Sequence, residues 1–143
     1  MVAKVYQAHL FNKRIPAPKE VSLHISLVSL LRWALRPDVI MRHVPNGEHR
    51  DPRTAAKLKA MGTLAGSADL EFFYKVASGL RVLFLELKTA KGRLSIAQVD
   101  FALAMRLLGA EHYVVRSIDE AITILGTRGL LRNDIEVNGR RWP

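Results

Sequence analysis

Apolar residues recur along this chain with two different periods, and the switches between them divide it into elements. From Pro18, the positions Leu23, Leu27, Leu30, Leu31 and Ala34 follow the spacing of one helix face, and Pro37 must end that helix. "DVIMRHV" reads as a short strand closed by the turn "PNG". The basic connection "EHRDPRTAAKLKAMG" then predicts a helix from Pro52 to Met61, with Gly62 at its C-terminal end. "ADLEFFYK" and "LRVLFLELKT" read as two strands joined by an "ASG" hairpin. "GRLSIAQVDFALAMRLLGA" predicts a helix opening at Ser95 and ending at Gly109, and a strand "HYVVRS" and a helix "IDEAITILG" follow. The last stretch, "TRGLLRNDIEVNGRRWP", has no strong period. The pattern implies an α/β fold, a mixed sheet flanked by helices in the order α-β-α-β-β-α-β-α.

One strand breaks its own pattern. "LFLELKTAKG" is apolar enough to be buried, yet it holds Glu86 and Lys88. A charge in a low-dielectric interior must be paired or bound to metal if it is not to destabilise the fold. Side chains alternate along a strand, so Leu83, Leu85 and Leu87 face one side, and Val82, Phe84, Glu86 and Lys88 the other. If the hairpin turn is centred between Ala77 and Ser78, antiparallel partners sum to 155 and Asp69 lies opposite Glu86. Two carboxylates about 4.5–5.5 Å apart repel each other unless a cation lies between them, and they are well placed to share a divalent one.

Composition narrows the partner. With 143 residues the simplest reading is one domain, and the absence of cysteine excludes disulfides, cysteine-based zinc sites and thiol nucleophiles. The five histidines are scattered, with no zinc-binding spacing. The net charge is +9, with 11 basic and 4 acidic residues up to Gly66 and 11 and 9 after it. A field of this size suits a polyanion, nucleic acid before membrane, although a charge serving only solubility gives the same count. No apolar run reaches the length of a membrane span or a signal peptide, so a soluble, cytoplasmic protein is expected.

"GTLAGSADLEFFY", "LFLELKTAKGRLSIAQ" and the upstream "HVPNGEHR" resemble the VRR-NUC domain, the virus-type replication-repair nuclease branch of the PD-(D/E)XK superfamily, in its stand-alone phage and bacterial form. The resemblance spans about Pro18 to Leu125. It divides the chain into an N-terminal extension (1–17), a nuclease domain (18–126) and a C-terminal tail (127–143). The family pattern is a Gly-x-x-x-Gly-x-Pro-Asp turn, a Glu-x-Lys, a Gln opening the next helix and a Glu on the first helix. It falls here on Gly62, Gly66, Asp69, Glu86, Lys88, Gln98 and Glu20, with Ala68 in place of the usual Pro. The resemblance implies a restriction-endonuclease-like fold and hydrolysis of phosphodiester bonds with Mg²⁺ or Mn²⁺. It implies Asp69, Glu86, Glu20 and the Leu87 backbone carbonyl as metal ligands, and Lys88 and Gln98 as catalytic partners. It also implies a cytoplasmic setting in a bacterial or phage-infected cell.

Each residue has a plainer reading. Asp69 starts a strand after a turn, and Glu86 and Lys88 form an ion pair at a sheet end. Ser95 and Gln98 have the spacing of a capping box, so Gln98 needs no active site, although it could cap and face the centre at once. Glu20 suits the first turn of a helix by charge alone. For DNA contacts the candidates are His24, His43, Asn46, Arg50, Arg53, Lys57 and Lys59 around the first basic connection, and Lys91 and Arg93 after the catalytic strand. No base-reading helix is evident, so the expected substrate is structured rather than sequence-defined: branched DNA, a four-way junction or a flap. A homodimer is expected from the family and from the twofold symmetry of a junction, with "LLRWAL" or "LAMRLL" as apolar surface unless these are core. A flap nuclease or exonuclease of the same superfamily is one alternative to a junction resolvase, and a non-catalytic nucleic-acid-binding module is another.

Overall fold

The computed structural model describes residues 5–6, 19–45 and 51–143. Asn46, Arg50 and nearly all of the N-terminal extension lie outside the described residues. In chain order the elements are β1 (Val5–Tyr6), α1 (Glu20–Ala34), β2 (Ile40–His43), α2 (Pro52–Ala60), β3 (Leu70–Val76), β4 (Gly79–Leu87), α3 (Ile96–Leu107), β5 (Glu111–Val115), α4 (Ile118–Thr127) and β6 (Glu136–Val137). Between α1 and α4 the order is the one the periodicity implies.

The central sheet runs β2-β3-β4-β5, antiparallel except for the parallel β4–β5 pair. The return from β4 to a parallel β5 requires a crossover, and α3 supplies it. Pairing between β3 and β4 follows the expected register, with Leu70 opposite Leu85 and Val76 opposite Gly79. One step further along that register, Asp69 comes level with Glu86.

Both faces of the sheet are covered, unequally. Leu23, Leu27, Leu30, Leu31 and Ala34 of α1 pack with Ala121, Ile122 and Leu125 of α4 onto the face carrying Leu70, Phe72, Leu83, Leu85 and Leu87. On the other face a small cluster of Ala68, Phe84 and Phe101 carries α3. The strand alternation read from the sequence is therefore realised, with the larger core on the leucine side.

The C-terminal segment has no strong period, yet it contributes to the core. Leu130, Leu131, Ile135 and Val137 are buried in the main core. Leu131 bridges to Leu35 just past α1, and β6 pairs in parallel with β1. Trp142 packs on α4 at Gly126, where a Cβ would stand 2.1 Å from its ring. This stretch lacks a period because it crosses the core edge in short, irregular steps. Among the described residues no helix is long and apolar enough to cross a membrane.

Candidate active site

The charged residues of β4 meet at its C-terminal end. Glu86 is 1% exposed and Lys88 7%, so the polar end of the strand is enclosed rather than wet. Lys88 Nζ lies 2.8 Å from Glu86 Oε1 and 3.4 Å from Glu20 Oε1. Burial works against the Lys88 ammonium, but the hydrogen bond and charge of Glu86, reinforced by Glu20 and Asp69, hold its pKa above the ordinary lysine value. Glu20 thus meets the centre through Lys88, from the first turn of α1.

Gln98 takes both roles left open by its spacing. Its Oε1 accepts the Ser95 N–H at 2.9 Å and Ser95 Oγ accepts the Gln98 N–H at 3.2 Å, completing the capping box. Its Nε2 donates to Glu86 Oε1 at 2.5 Å. The cap fixes the carboxamide, and the fixed carboxamide holds one oxygen of Glu86.

The other Glu86 oxygen, Oε2, is buried without a hydrogen-bond partner among the described residues. Burial pushes the Glu86 pKa up to about 7; the Lys88 hydrogen bond opposes this, while the charges of Asp69 and Glu20 add to it. A buried carboxylate oxygen without a donor is costly, and a hard cation that prefers oxygen would relieve that cost.

Asp69 stands just before β3, and its Oδ2 accepts the Leu87 N–H at 2.8 Å. That bond ties the Asp to the strand carrying Glu86 and Lys88. The preceding turn is fixed from outside: Gly66 has φ +80° and lies so close to α3 that a Cβ there would meet Ala97 O at 2.1 Å. Only glycine fits this approach. The contact locks the loop bearing Asp69 to the helix start bearing Gln98.

A cleft of about 350 Å³ opens beside these groups, lined by Glu20, Val21, His24, His43 and Asp69 among others. His43 Nδ1 lies 2.8 Å from the Asp69 backbone oxygen, and its ring meets the His24 ring edge to face at 4.5 Å. Burial, and then the neighbouring His43, lower the His24 pKa. Both histidines therefore border the centre. Arg53, Lys57 and Lys59 lie on α2, which buries no residue, and Lys91 and Arg93 are exposed in the loop after β4.

Sequence reasoning missed Arg116. Its guanidinium donates to the carbonyls of Thr89 at 2.5 Å and Gly92 at 2.8 Å, bracing the loop that follows Lys88. The signal is visible only once β5 is known to run parallel to β4 with Val115 beside Leu87, which brings Arg116 level with Lys88.

Among the described residues, no three His, Cys, Asp or Glu side chains converge closely enough to hold a metal by themselves. A cation here would rest on two carboxylates, backbone carbonyl oxygen and oxygens of water or substrate. Such a set suits Mg²⁺ or Mn²⁺, which keep water and substrate ligands, better than a metal needing an all-protein cage.

No protein-family model matches the sequence, and no curated protein matches it. A solved structure described as a VRR_NUC domain protein superposes with a TM-score of 0.59 at 21% identity, over 77% of this chain and 87% of that one. The chain shares the fold of that protein, and its mixed four-stranded sheet with flanking helices is restriction-endonuclease-like.

Proposed function

We propose that this chain, with the fold of a VRR-NUC domain, is a metal-dependent DNA endonuclease that hydrolyses phosphodiester bonds in branched DNA. The observation that carries the reading is the pair Asp69 and Glu86 at one sheet end, with Glu86 Oε2 buried and unpartnered beside the Lys88 ammonium. Asp69, Glu86 and the Leu87 carbonyl would hold Mg²⁺ or Mn²⁺, with Glu20 close behind. When bound, the metal supplies Lewis-acid polarisation of the phosphate and a more acidic water.

The chain's own groups do the rest. Lys88, as an ammonium, orients the attacking water and offsets the charge that grows on the phosphate oxygens during in-line displacement. Its two carboxylate neighbours favour that charged form, which makes it an electrostatic group more than a proton acceptor. Gln98 holds Glu86 Oε1 so that the other oxygen faces the centre. His24 and His43 border the cleft through which the strand would enter, and Arg53, Lys57, Lys59, Lys91 and Arg93 contact backbone phosphates, giving affinity that falls with salt and no sequence preference.

A dimer fits this reading, and one of its two candidate surfaces is now favoured. "LLRWAL" is core, with Leu31 and Ala34 fully buried. On α3, by contrast, Ile96, Val99, Leu103 and Leu107 are 81%, 49%, 56% and 79% exposed and recur along one side of the helix, an apolar stripe suited to a second copy.

Labelled linear duplex, flap and four-way junction DNA incubated with the protein and Mg²⁺, Mn²⁺ or chelator test the proposal. Paired nicks confined to the junction, dependent on metal and abolished in Asp69→Ala and Glu86→Ala while binding persists, are expected. Cleavage that survives either substitution would overturn the site. Binding without cutting under any metal would make the protein a non-catalytic module.

A further inference from the structure

A second cleft, of about 720 Å³, lies at the opposite end of the sheet. It opens beside Arg81, near the start of β4 and paired with Tyr74, whereas the Glu86 centre is five residues further along the strand. At strand spacing the two are about 16 Å apart. Nothing in the catalytic reading uses it.

Three arginines and one carboxylate line this cleft: Arg81, Arg106, Arg128 and Glu111, with the phenols of Tyr74 and Tyr113. Glu111 is fully engaged. It accepts Tyr74 Oη–H at 3.3 Å and Tyr113 Oη–H at 2.5 Å, and its Oε2 lies 2.8 Å from Arg128 Nε. Arg128 Nη2 also donates to the Tyr113 oxygen at 2.7 Å. One carboxylate therefore fixes one guanidinium and two phenols in a rigid rim.

The other two guanidiniums are not neutralised. Arg106 donates Nη2 to the His112 carbonyl at 2.7 Å, a bond that orients it without cancelling its charge. Arg81 has no carboxylate partner among the described residues. The lining carries a net formal charge of +2, three Arg against one Glu, and the Arg106 and Arg128 forks are already oriented while Arg81 adds an uncompensated charge at the rim. Guanidinium forks match phosphate oxygens in pairs, and the orientation of these two lowers the ordering cost of binding. The cleft is also within the size range of small-molecule sites.

We propose that this cleft is a second phosphate-binding site, separate from the Glu86 centre, which takes the phosphoryl oxygens of a mononucleotide or of a nucleic-acid backbone. If the ligand is a DNA arm, each protomer grips branched DNA at two places; if it is a free nucleotide, the protein carries a ligand site remote from its chemistry. Neither case requires the nuclease to be active.

The test titrates the full chain in chelator with AMP and, separately, with a 20-base-pair duplex. The Arg Nε–Hε resonances of Arg81 and Arg106 are followed by NMR, and affinities, including that of the variant lacking both groups, by calorimetry. Comparisons are made with Arg81→Ala/Arg106→Ala and, as a charge-matched control lining neither cleft, Arg32→Ala/Arg141→Ala. Saturable AMP shifts at Arg81 and Arg106, with affinity at least tenfold weaker in the first variant and unchanged in the control, identify a nucleotide site. Weak AMP shifts, with the duplex moving both resonances and the first variant reducing the salt slope of duplex binding by about 1.8 for two lost phosphate contacts, identify a backbone site. If neither ligand moves those resonances, or binding is the same with and without the two arginines, the proposal is wrong whatever the nuclease assays show.

Discussion

Replacing Gly66 with Ala should uncouple the two halves of the proposed active site, and the size of the effect follows from the geometry. The new Cβ would stand 2.1 Å from Ala97 O, 2.3 Å from Ala97 C and 2.7 Å from Gln98 N, all backbone atoms of the α3 entry. Ordinary contact begins near 3.4 Å, so loop or helix must retreat by 3.4 − 2.1, or about 1.3 Å. That displacement is enough to take Gln98 Nε2 off Glu86, now 2.5 Å away.

Overpacking costs about 1–3 kcal/mol, and an alanine held at φ +80° adds about 1–2 kcal/mol. The sum is about 2–5 kcal/mol. Gly62 is the control: its φ is +94°, but a Cβ there meets nothing within 4 Å, so Gly62→Ala incurs only the backbone cost. At about 3 °C per kcal/mol for a chain of this size, thermal unfolding followed by circular dichroism should show a loss of about 3–6 °C for Gly62→Ala and 6–15 °C for Gly66→Ala. Cleavage measured below both transitions should fall about 100-fold in Gly66→Ala, the scale of a 1 Å misplacement, and little in Gly62→Ala. Equal melting temperatures with undiminished cleavage in both variants would refute the coupling.

Other outcomes follow from the same geometry. Ser95→Ala should cost about 1 kcal/mol through the lost cap and leave cleavage near normal, whereas Gln98→Ala should cost a similar amount of stability and slow cleavage at least tenfold; equal activities would reduce Gln98 to a cap. His112 is buried with both ring nitrogens unpartnered among the described residues, and burial, then Arg106, lower its pKa to about 4. Between that value and the ordinary 6.5 the unfolded chain binds the proton and the folded chain does not, so stability is lost as pH falls through this window, by on the order of 3 kcal/mol. Glu86, raised from 4.5 to about 7, acts with the opposite sign: the folded chain binds its proton more tightly, so stability falls as pH rises from 4.5 to 7. The check is therefore differential. Denaturant unfolding of His112→Phe against the parent should show an advantage that grows from pH 7 to pH 5, and a constant difference would contradict the assignment.

How much of this was legible in the sequence depended on how local each signal was. The α1 stripe, the β3–β4 register and the Ser95 cap are set by neighbouring residues, and each falls where periodicity and turn chemistry place it. The Asp69–Glu86 pairing followed because a short hairpin fixes its own register. The parts that escaped depend on distant segments. The burial of Leu130, Leu131, Ile135 and Val137 reflects contacts with α1 and the sheet that a segment without a period does not advertise. Arg116 acquires its role through a parallel pairing across a helix crossover, and the tightness of Gly66 comes from the approach of α3 more than thirty residues on. The apolar sequence "LAMRLL" could not by itself reveal which face of α3 meets the sheet: Phe101 and Ala102 do, while Leu103 and Leu107 do not.

Under the proposed function, Glu86 and Asp69 hold a divalent cation that drives phosphodiester cleavage. Calorimetric titration of Mn²⁺ into the protein near pH 7, with proton release followed in buffers of different ionisation enthalpy, would show whether they do. Saturable binding is expected that releases a fraction of a proton as Glu86 ionises, is lost in Asp69→Ala and Glu86→Gln, and matches the metal concentration that supports cleavage. Mn²⁺ binding unaffected by both substitutions, or cleavage at full rate in chelator, would contradict it.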